Sequence, residues 1–279
     1  MLEKTFCHIP GISARAEHGL WRDGITSWER FPAEGGPFFS GKKNGNVALH
    51  LAESRRRLAG NDSGYFSAAL PSREHWRLFS AFAGSIAYLD IETTGLSRDH
   101  DAITTIALYD GVSVHTFVRG ENLEDFGRLI GNYEVIVTYN GRGFDVPVIE
   151  RELGLKLHQA HLDLRPLLAS LGFSGGLKGC EKMLGLDRGE LNGVGGWDAV
   201  MLWREYQSTN DRQALYTLLA YNVADAINLE PLMVEVYNRN VAQTPFVGTL
   251  LLPAPHAAAN PFQADPRLLA GIRNRPSSS

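Results

Sequence analysis

The chain has 279 residues, of which 44% are hydrophobic and 21% charged, a balance that excludes an intrinsically disordered protein and allows one good-sized core with smaller appendages. No apolar run approaches the roughly 18 residues a membrane helix needs, and two distant cysteines, Cys7 and Cys180, argue against a disulfide framework or a structural zinc site. The net charge is −4, yet residues 1–86 hold 11 Lys+Arg against 8 Asp+Glu while the remainder holds 16 against 23, so a basic flank stands beside an acidic domain.

Met1 to Phe6 lacks the basic-then-apolar pattern of a signal peptide, and with so few cysteines a cytoplasmic location is expected. Ala16, Leu20 and Trp21 recur at helical spacing within Ala14 to Gly24, with Gly24 placed as a helix stop and Thr26 or Ser27 as the cap of a following helix. Ile9-Pro10-Gly11 opens this unit as a tight turn. Residues 34–45, rich in Gly and Lys, read as a loop. Helices are expected from Val47 to Leu58, ending in Arg55-Arg56-Arg57, and after Pro71-Ser72 through Trp76 to Phe82.

From Ser85 the pattern changes. Ser85 to Asp90 is an apolar strand, and Ala102 to Tyr109 and Val112 to Val118 are β-rich runs joined by Asp110-Gly111, a two-residue hairpin signal. A helix from Leu123 to Ile130, a strand from Glu134 to Tyr139, a helix from Phe144 to Leu153 and a short strand from Ala160 to Asp163 follow. Helices then dominate to Asn238, interrupted by a Gly-rich loop at Gly193 to Gly196. Hairpins followed by alternating strands and helices predict an α/β fold: a mixed five-stranded sheet with helices on both faces, preceded by a small helical module. The last stretch carries six prolines from Pro245 to Pro276 and reads as a surface arm with a disordered tip. The expected domains are a module at 1–35, a helical connector at 36–83, the main domain at 84–240 and the arm and tail at 241–279.

Three segments carry chemistry. In Leu89-Asp90-Ile91-Glu92-Thr93-Thr94-Gly95-Leu96, two carboxylates two residues apart at a strand end face the same side of the sheet. An acidic pair is costly there unless cations neutralise it, and hard divalent ions such as Mg²⁺ or Mn²⁺ favour such oxygen ligands. Tyr139-Asn140-Gly141-Arg142-Gly143-Phe144-Asp145 opens a helix, where the helix dipole alone would account for an acid. Tyr221-Asn222-Val223-Ala224-Asp225 sets a tyrosine and an aspartate four apart on one helix face, which a surface pair would also explain.

In combination and in this order the three segments resemble the DEDD (DnaQ-like) superfamily of 3′–5′ exonucleases, in the subgroup with a tyrosine in its third motif. Trp76-Arg77-Leu78-Phe79, Asp90 to Leu96 and Tyr221 to Asp225 look like the YprB-like branch, and the resemblance covers roughly residues 60–240. It implies a ribonuclease-H-like fold and hydrolysis of single-stranded 3′ ends, DNA or RNA, to nucleoside 5′-monophosphates with two Mg²⁺ or Mn²⁺ ions. Asp90, Glu92 and Asp225 would hold the tighter ion, Asp90 would bridge to the second, and Asp145 would act mostly through bound water. Tyr221 would orient the attacking water, since a phenol of pKa about 10 is a poor base at neutral pH. Thr93, Thr94, Gly95, Leu96, Asn140 and Phe144 would contact the terminal nucleotide. The basic flank suits such a nuclease.

The N-terminal unit resembles a helix-hairpin-helix, whose backbone N–H groups would point at a phosphate; a packing module without nucleic-acid contact is the alternative. His161 and Asp163 near the site are either participants or hydrogen-bonded structural groups, and Arg142 and Lys178 either meet phosphates or are solvated. Arg55-Arg56-Arg57 reads first as a solvated helix face. His100 and Asp101 form an unassigned acidic loop, and Trp197 and Trp203, at helical spacing with Val200, read as core. Two alternatives to the exonuclease remain: an endonuclease or RNA-processing nuclease on the same fold, and an inert nucleic-acid-binding protein.

Overall fold

The computed structural model describes residues 1–31, 41–95, 97 and 100–273. Five strands make one mixed sheet: β1 (Ile86–Thr93), β2 (Ile103–Tyr109), β3 (Val114–Val118), β4 (Val135–Thr138) and β5 (Ala160–Asp163), in spatial order β3-β2-β1-β4-β5. β1 pairs antiparallel with β2 and β2 with β3, whereas β1–β4 and β4–β5 are parallel. The hairpin half and the parallel half therefore meet at β1, in the middle of the sheet. The β2–β3 connection is longer than the two residues expected: Tyr109 pairs with Val114, and Asp110 accepts from the N–H groups of Val112 and Ser113 at 3.0 and 2.7 Å. An aspartate that satisfies its own turn shortens the following strand.

Strand alternation assigns the faces. Ala87, Leu89 and Ile91 point to one side, where they join Val148 and Ile149 of α5 (Asp145–Leu153) and Phe126 and Ile130 of α4 (Phe126–Ile130) in one core. Ile86 and Tyr88 point to the other, toward Leu229, Leu232 and Met233 of the long helix α9 (Arg212–Val241). The same alternation puts Asp90 and Glu92 on the α9 side.

The N-terminal part packs into the α9-side core: Phe6, Leu20, Trp21 and Trp28 share it with Trp76, Phe79 and Tyr237. Here α1 (Ala14–Arg22) is capped by Ser13, whose side chain accepts from Ala16 N–H, and Gly24 at φ +87° ends the turn after it. The second helix expected from Thr26 or Ser27 is only a 3-10 turn at Trp28–Arg30. Just ahead of the Ile9-Pro10-Gly11 turn, the buried Glu17 carboxylate of α1 accepts from Phe6 N–H and, at 3.0 Å, from Cys7 N–H.

α2 runs from Gly41 to Ala59, so residues 41–45, expected as loop from their Gly and Lys content, are helical. The rest of that expected loop lies outside the described residues. α3 (Ser63–Ala69) was not expected, and a 3-10 helix covers Ser72–Ala81. Beyond β5 come α6 (Leu164–Ser170), α7 (Gly176–Leu184) and α8 (Gly196–Thr209). The expected C-terminal arm contains two short helices, α10 (Val247–Leu250) and α11 (Pro266–Arg273); Leu269 and Ile272 of α11 are buried in the core that holds Trp203. The tip at 274–279 lies outside the described residues. No described helix is long and apolar enough to cross a membrane.

One buried ion pair ties the N-terminal part to the segment leading into β1. Arg77 Nη1 meets Glu17 Oε1 at 2.8 Å, with side chains 2% and 0% exposed, and donates to Thr5 Oγ1 at 3.1 Å. Truncating one member of such a pair strands the other charge in low dielectric. Arg77→Ala is expected to lower stability by about 3–5 kcal/mol, measured by urea unfolding; a loss below about 1 kcal/mol would show the pair to be unimportant.

Candidate active site

Three elements converge at the C-terminal end of β1. Asp90 and Glu92 come from the strand itself, with Asp90 opposite Ala107 and Glu92 opposite Thr105 of β2. Asp225 comes from α9, one turn after Tyr221. The parallel pairing of Tyr88 with Val137 brings the end of β4 alongside, and the turn after Thr138 delivers Asp145 as the first residue of α5. Carboxylate oxygens of Asp90, Glu92 and Asp225 lie within 4.8 Å of one another. They open with Asp145 onto a cleft of about 360 Å³ lined also by Thr93, Gly95, Asn140, Phe144, Lys178 and Tyr221.

These acids are held at high electrostatic cost. Glu92, Asp145 and Asp225 are only 5–8% exposed. Burial and then the neighbouring charges of Asp225, Glu92 and Asp145 raise the Asp90 carboxyl well above its ordinary value. Burial and Asp225 do the same to Glu92, and burial lifts Asp145 to about 7 despite hydrogen bonds from backbone N–H groups. An oxygen-only set of this kind, short of compensating charge, suits a hard divalent cation.

The protein supplies part of the compensation. Asn222 Nδ2 donates to Asp90 Oδ2 at 2.7 Å, and its Oδ1 accepts from Thr105 Oγ1 at 2.9 Å, so a fully buried amide fixes Asp90 between α9 and β2. Lys178 Nζ donates to the Tyr221 hydroxyl and lies 4.3 Å from the centre of its ring. Arg188 donates to Asp225 and, at 2.9 and 3.1 Å, to both oxygens of Glu181. Burial, then Asp225 and Glu92, drive the Tyr221 phenol far above its usual value, so it stays protonated.

Every described residue of the expected carboxylate and tyrosine set is brought together here, and Lys178 joins them at the cleft. Of the expected nucleotide contacts, Thr93, Gly95, Asn140 and Phe144 line the cleft. Thr94 does not: its hydroxyl donates to Asp101 Oδ1 at 3.3 Å and accepts from Ala102 N–H at 3.0 Å, closing the loop after β1. That contact gives Asp101 a structural place; Leu96 lies outside the described residues. A Cβ on Gly95 would come within 2.5 Å of the same Asp101 carboxylate, so any larger residue would push that side chain aside.

Asp163, His161 and Arg142 act one layer behind. Asp163 accepts from Asn140 N–H at 2.8 Å and Arg142 N–H at 3.2 Å, and caps α6 through Arg165 N–H. His161 pairs with Thr138 Oγ1 at 2.8 Å, and burial lowers its pKa to about 4. Arg142 reaches back to His161 O at 2.8 Å. Together they hold the turn that places Asp145. Trp203 is buried as expected, but Trp197 is 49% exposed on the outer face of α8, where the Arg204 guanidinium lies 5.3 Å from the centre of its ring.

Arg188, Glu181 and Asn222 were not singled out from sequence. Asn222 lies inside the third motif, but a polar residue on a helix gives no sign of its partner; Arg188 follows a Gly-Leu-Asp turn with nothing to mark it as buried.

Residues 87–237 match the RNase_H superfamily. No curated protein matches the chain. Among solved structures, the family B DNA polymerase from the hyperthermophilic archaeon Pyrobaculum calidifontis aligns over 62% of this chain with 20% identity and a TM-score of 0.41. The alignment spans 27% of the polymerase chain.

The raised acids make a pH prediction. An acid whose folded pKa exceeds its unfolded value near 4 destabilises the fold progressively as pH rises from about 4. For Asp145 that window closes at about 7. In EDTA, Asp145→Asn is therefore expected to melt at or below the wild-type temperature at pH 4 and above it at pH 8. A melting difference between the two proteins that does not change with pH would contradict the buried, uncompensated state of Asp145.

Proposed function

This chain belongs to the RNase_H superfamily, and on that footing we propose that it is a divalent-metal-dependent 3′–5′ exonuclease that releases nucleoside 5′-monophosphates from single-stranded nucleic acid. The observation that carries the proposal is the convergence of Asp90, Glu92, Asp145 and Asp225 on one cleft, with three of them close enough to touch one ion. Asp90, Glu92 and Asp225 would hold one Mg²⁺ or Mn²⁺, and Asp90 with Asp145 a second. When bound, such ions lower the pKa of water and neutralise charge on a phosphodiester.

The protein's own groups do the rest. The Asn222 amide keeps one oxygen of Asp90 engaged and leaves the other free to face the cleft. Tyr221, protonated and held by Lys178, is a hydrogen-bond donor that orients the attacking group; it is not a base. Lys178 brings a positive charge to the wall of the cleft where an anionic backbone would enter. Thr93, Gly95, Asn140 and Phe144 would surround the terminal nucleotide, with Phe144 offering a face for its base.

The test is time-resolved digestion of 5′-labelled single-stranded DNA and RNA with Mg²⁺, Mn²⁺ or EDTA. A ladder shortening from the 3′ end, lost in EDTA and reduced more than about a hundredfold by Asp90→Asn, is expected. Cleavage of circular single strands would make the protein an endonuclease instead. Binding without turnover under every metal would leave a nucleic-acid-binding protein.

A further inference from the structure

Arg188 stands on the connection between α7 and α8 and reaches the carboxylate cluster from behind. Its side chain is 4% exposed, and Glu181, its other partner, is 1% exposed. Glu181 also accepts from Asn228 Nδ2 of α9 at 2.8 Å. Glu181 alone would neutralise this guanidinium. Yet Arg188 also donates to Asp225, lies 5.4 Å from the centre of the Tyr221 ring, and leaves its Nε without a hydrogen-bond partner. The head is thus held by two carboxylates at once, one of them in the set proposed to bind metal.

We propose that Arg188 is an intramolecular counter-cation that competes with a divalent ion for Asp225 and thereby sets a high metal concentration for loading the site. The proposal rests on the metal-site assignment above. Two effects oppose each other. A guanidinium bonded to a ligand oxygen helps orient that ligand, and losing such a partner weakens metal binding by roughly 10–100-fold. The same guanidinium stands a few ångströms from any ion on that carboxylate. Repulsion between single and double charges at that range is worth on the order of tenfold even at the dielectric of water, and several powers of ten at the effective value of about 20 that suits buried sites. Asp225 is already positioned by a buried stretch of α9, so orientation contributes least and repulsion dominates. In the absence of metal the same contact offsets part of the repulsion among the acids, so the cluster can fold before it loads. Arg188 thus acts on the site through its charge at Asp225.

The test is Mn²⁺ binding without substrate, followed by loss of the free-ion electron paramagnetic resonance signal, on the full chain. Arg188→Gln leaves Glu181 buried and unpaired and could fail to fold. The double variant Glu181→Gln with Arg188→Gln removes both charges and retains an acceptor for Asn228, and its fold is checked by circular dichroism. The double variant is expected to bind Mn²⁺ at least about tenfold more tightly than wild type, whereas Arg188→Lys, which keeps the charge, stays close to wild type. A purely structural Arg188 could not yield a gain in affinity. Equal or weaker Mn²⁺ binding by a folded double variant overturns the proposal while leaving the metal site standing. If wild type shows no Mn²⁺ binding that Asp90→Asn removes, the metal site itself is wrong, and the proposal falls with it.

Discussion

Concentrating four carboxylates in one half-closed cleft is the constraint on which the rest of this structure turns. Each acid raises the cost of its neighbours, and burial raises it further. The protein could relieve the cost by spreading the acids apart, but they are supplied by three different elements and meet at one point. Asp90 and Glu92 come together because a strand has a two-residue period, Asp225 because α9 crosses that face, and Asp145 because the parallel β1–β4 pairing ends the two strands side by side.

Much of the surrounding polar structure can be understood as support for that meeting. The Thr105–Asn222–Asp90 chain links the hairpin half of the sheet to α9 through a buried amide. Asp163 and His161 at the end of β5 hold the turn after β4 and so place the start of α5. These side chains touch the cleft little or not at all. They matter because the carboxylates could share one ion only if each is held to within a fraction of an ångström.

The sheet and the Asp90–Glu92 pair were legible in the sequence because their signals are local and periodic, whereas Asp145 and Asp225 were expected only through the resemblance carried by the three segments in combination. Asp-x-Glu at the end of an apolar run fixes face and position together, and Tyr-x-x-x-Asp reports one helix face. The mixed five-stranded sheet followed from hairpin and alternation cues. What was not legible depends on tertiary neighbours. The Asp110 turn absorbs residues that look like strand. The second N-terminal helix shrinks to a 3-10 turn, and Glu17 in the first is a buried acid whose partner Arg77 lies far along the chain. Trp197 has the spacing of a core residue but lies half-exposed against Arg204 on the outer face of its helix. No pattern of residue types could have marked Arg188, because its burial arises only when α7, α9 and their connection close around it.

The overall charge is equally uninformative, and for the same reason. The chain carries a formal net charge of −4, and the acidic excess lies in the part that forms the sheet and α9, an unpromising balance for contact with a polyanion. Net charge sums over the surface, whereas a substrate would meet the local field of the cleft. There the segment between β5 and α9 brings Lys178 against Tyr221 and Arg188 against Asp225. Both cations enter from α7 and the connection after it, so the same short segment that closes one wall of the cleft also sets its charge. A phosphate entering the cleft would meet Lys178 on its wall, while Arg188 acts on the cluster from behind through Asp225. Under the nuclease assignment, the mobile ions and the fixed cations share one electrostatic task.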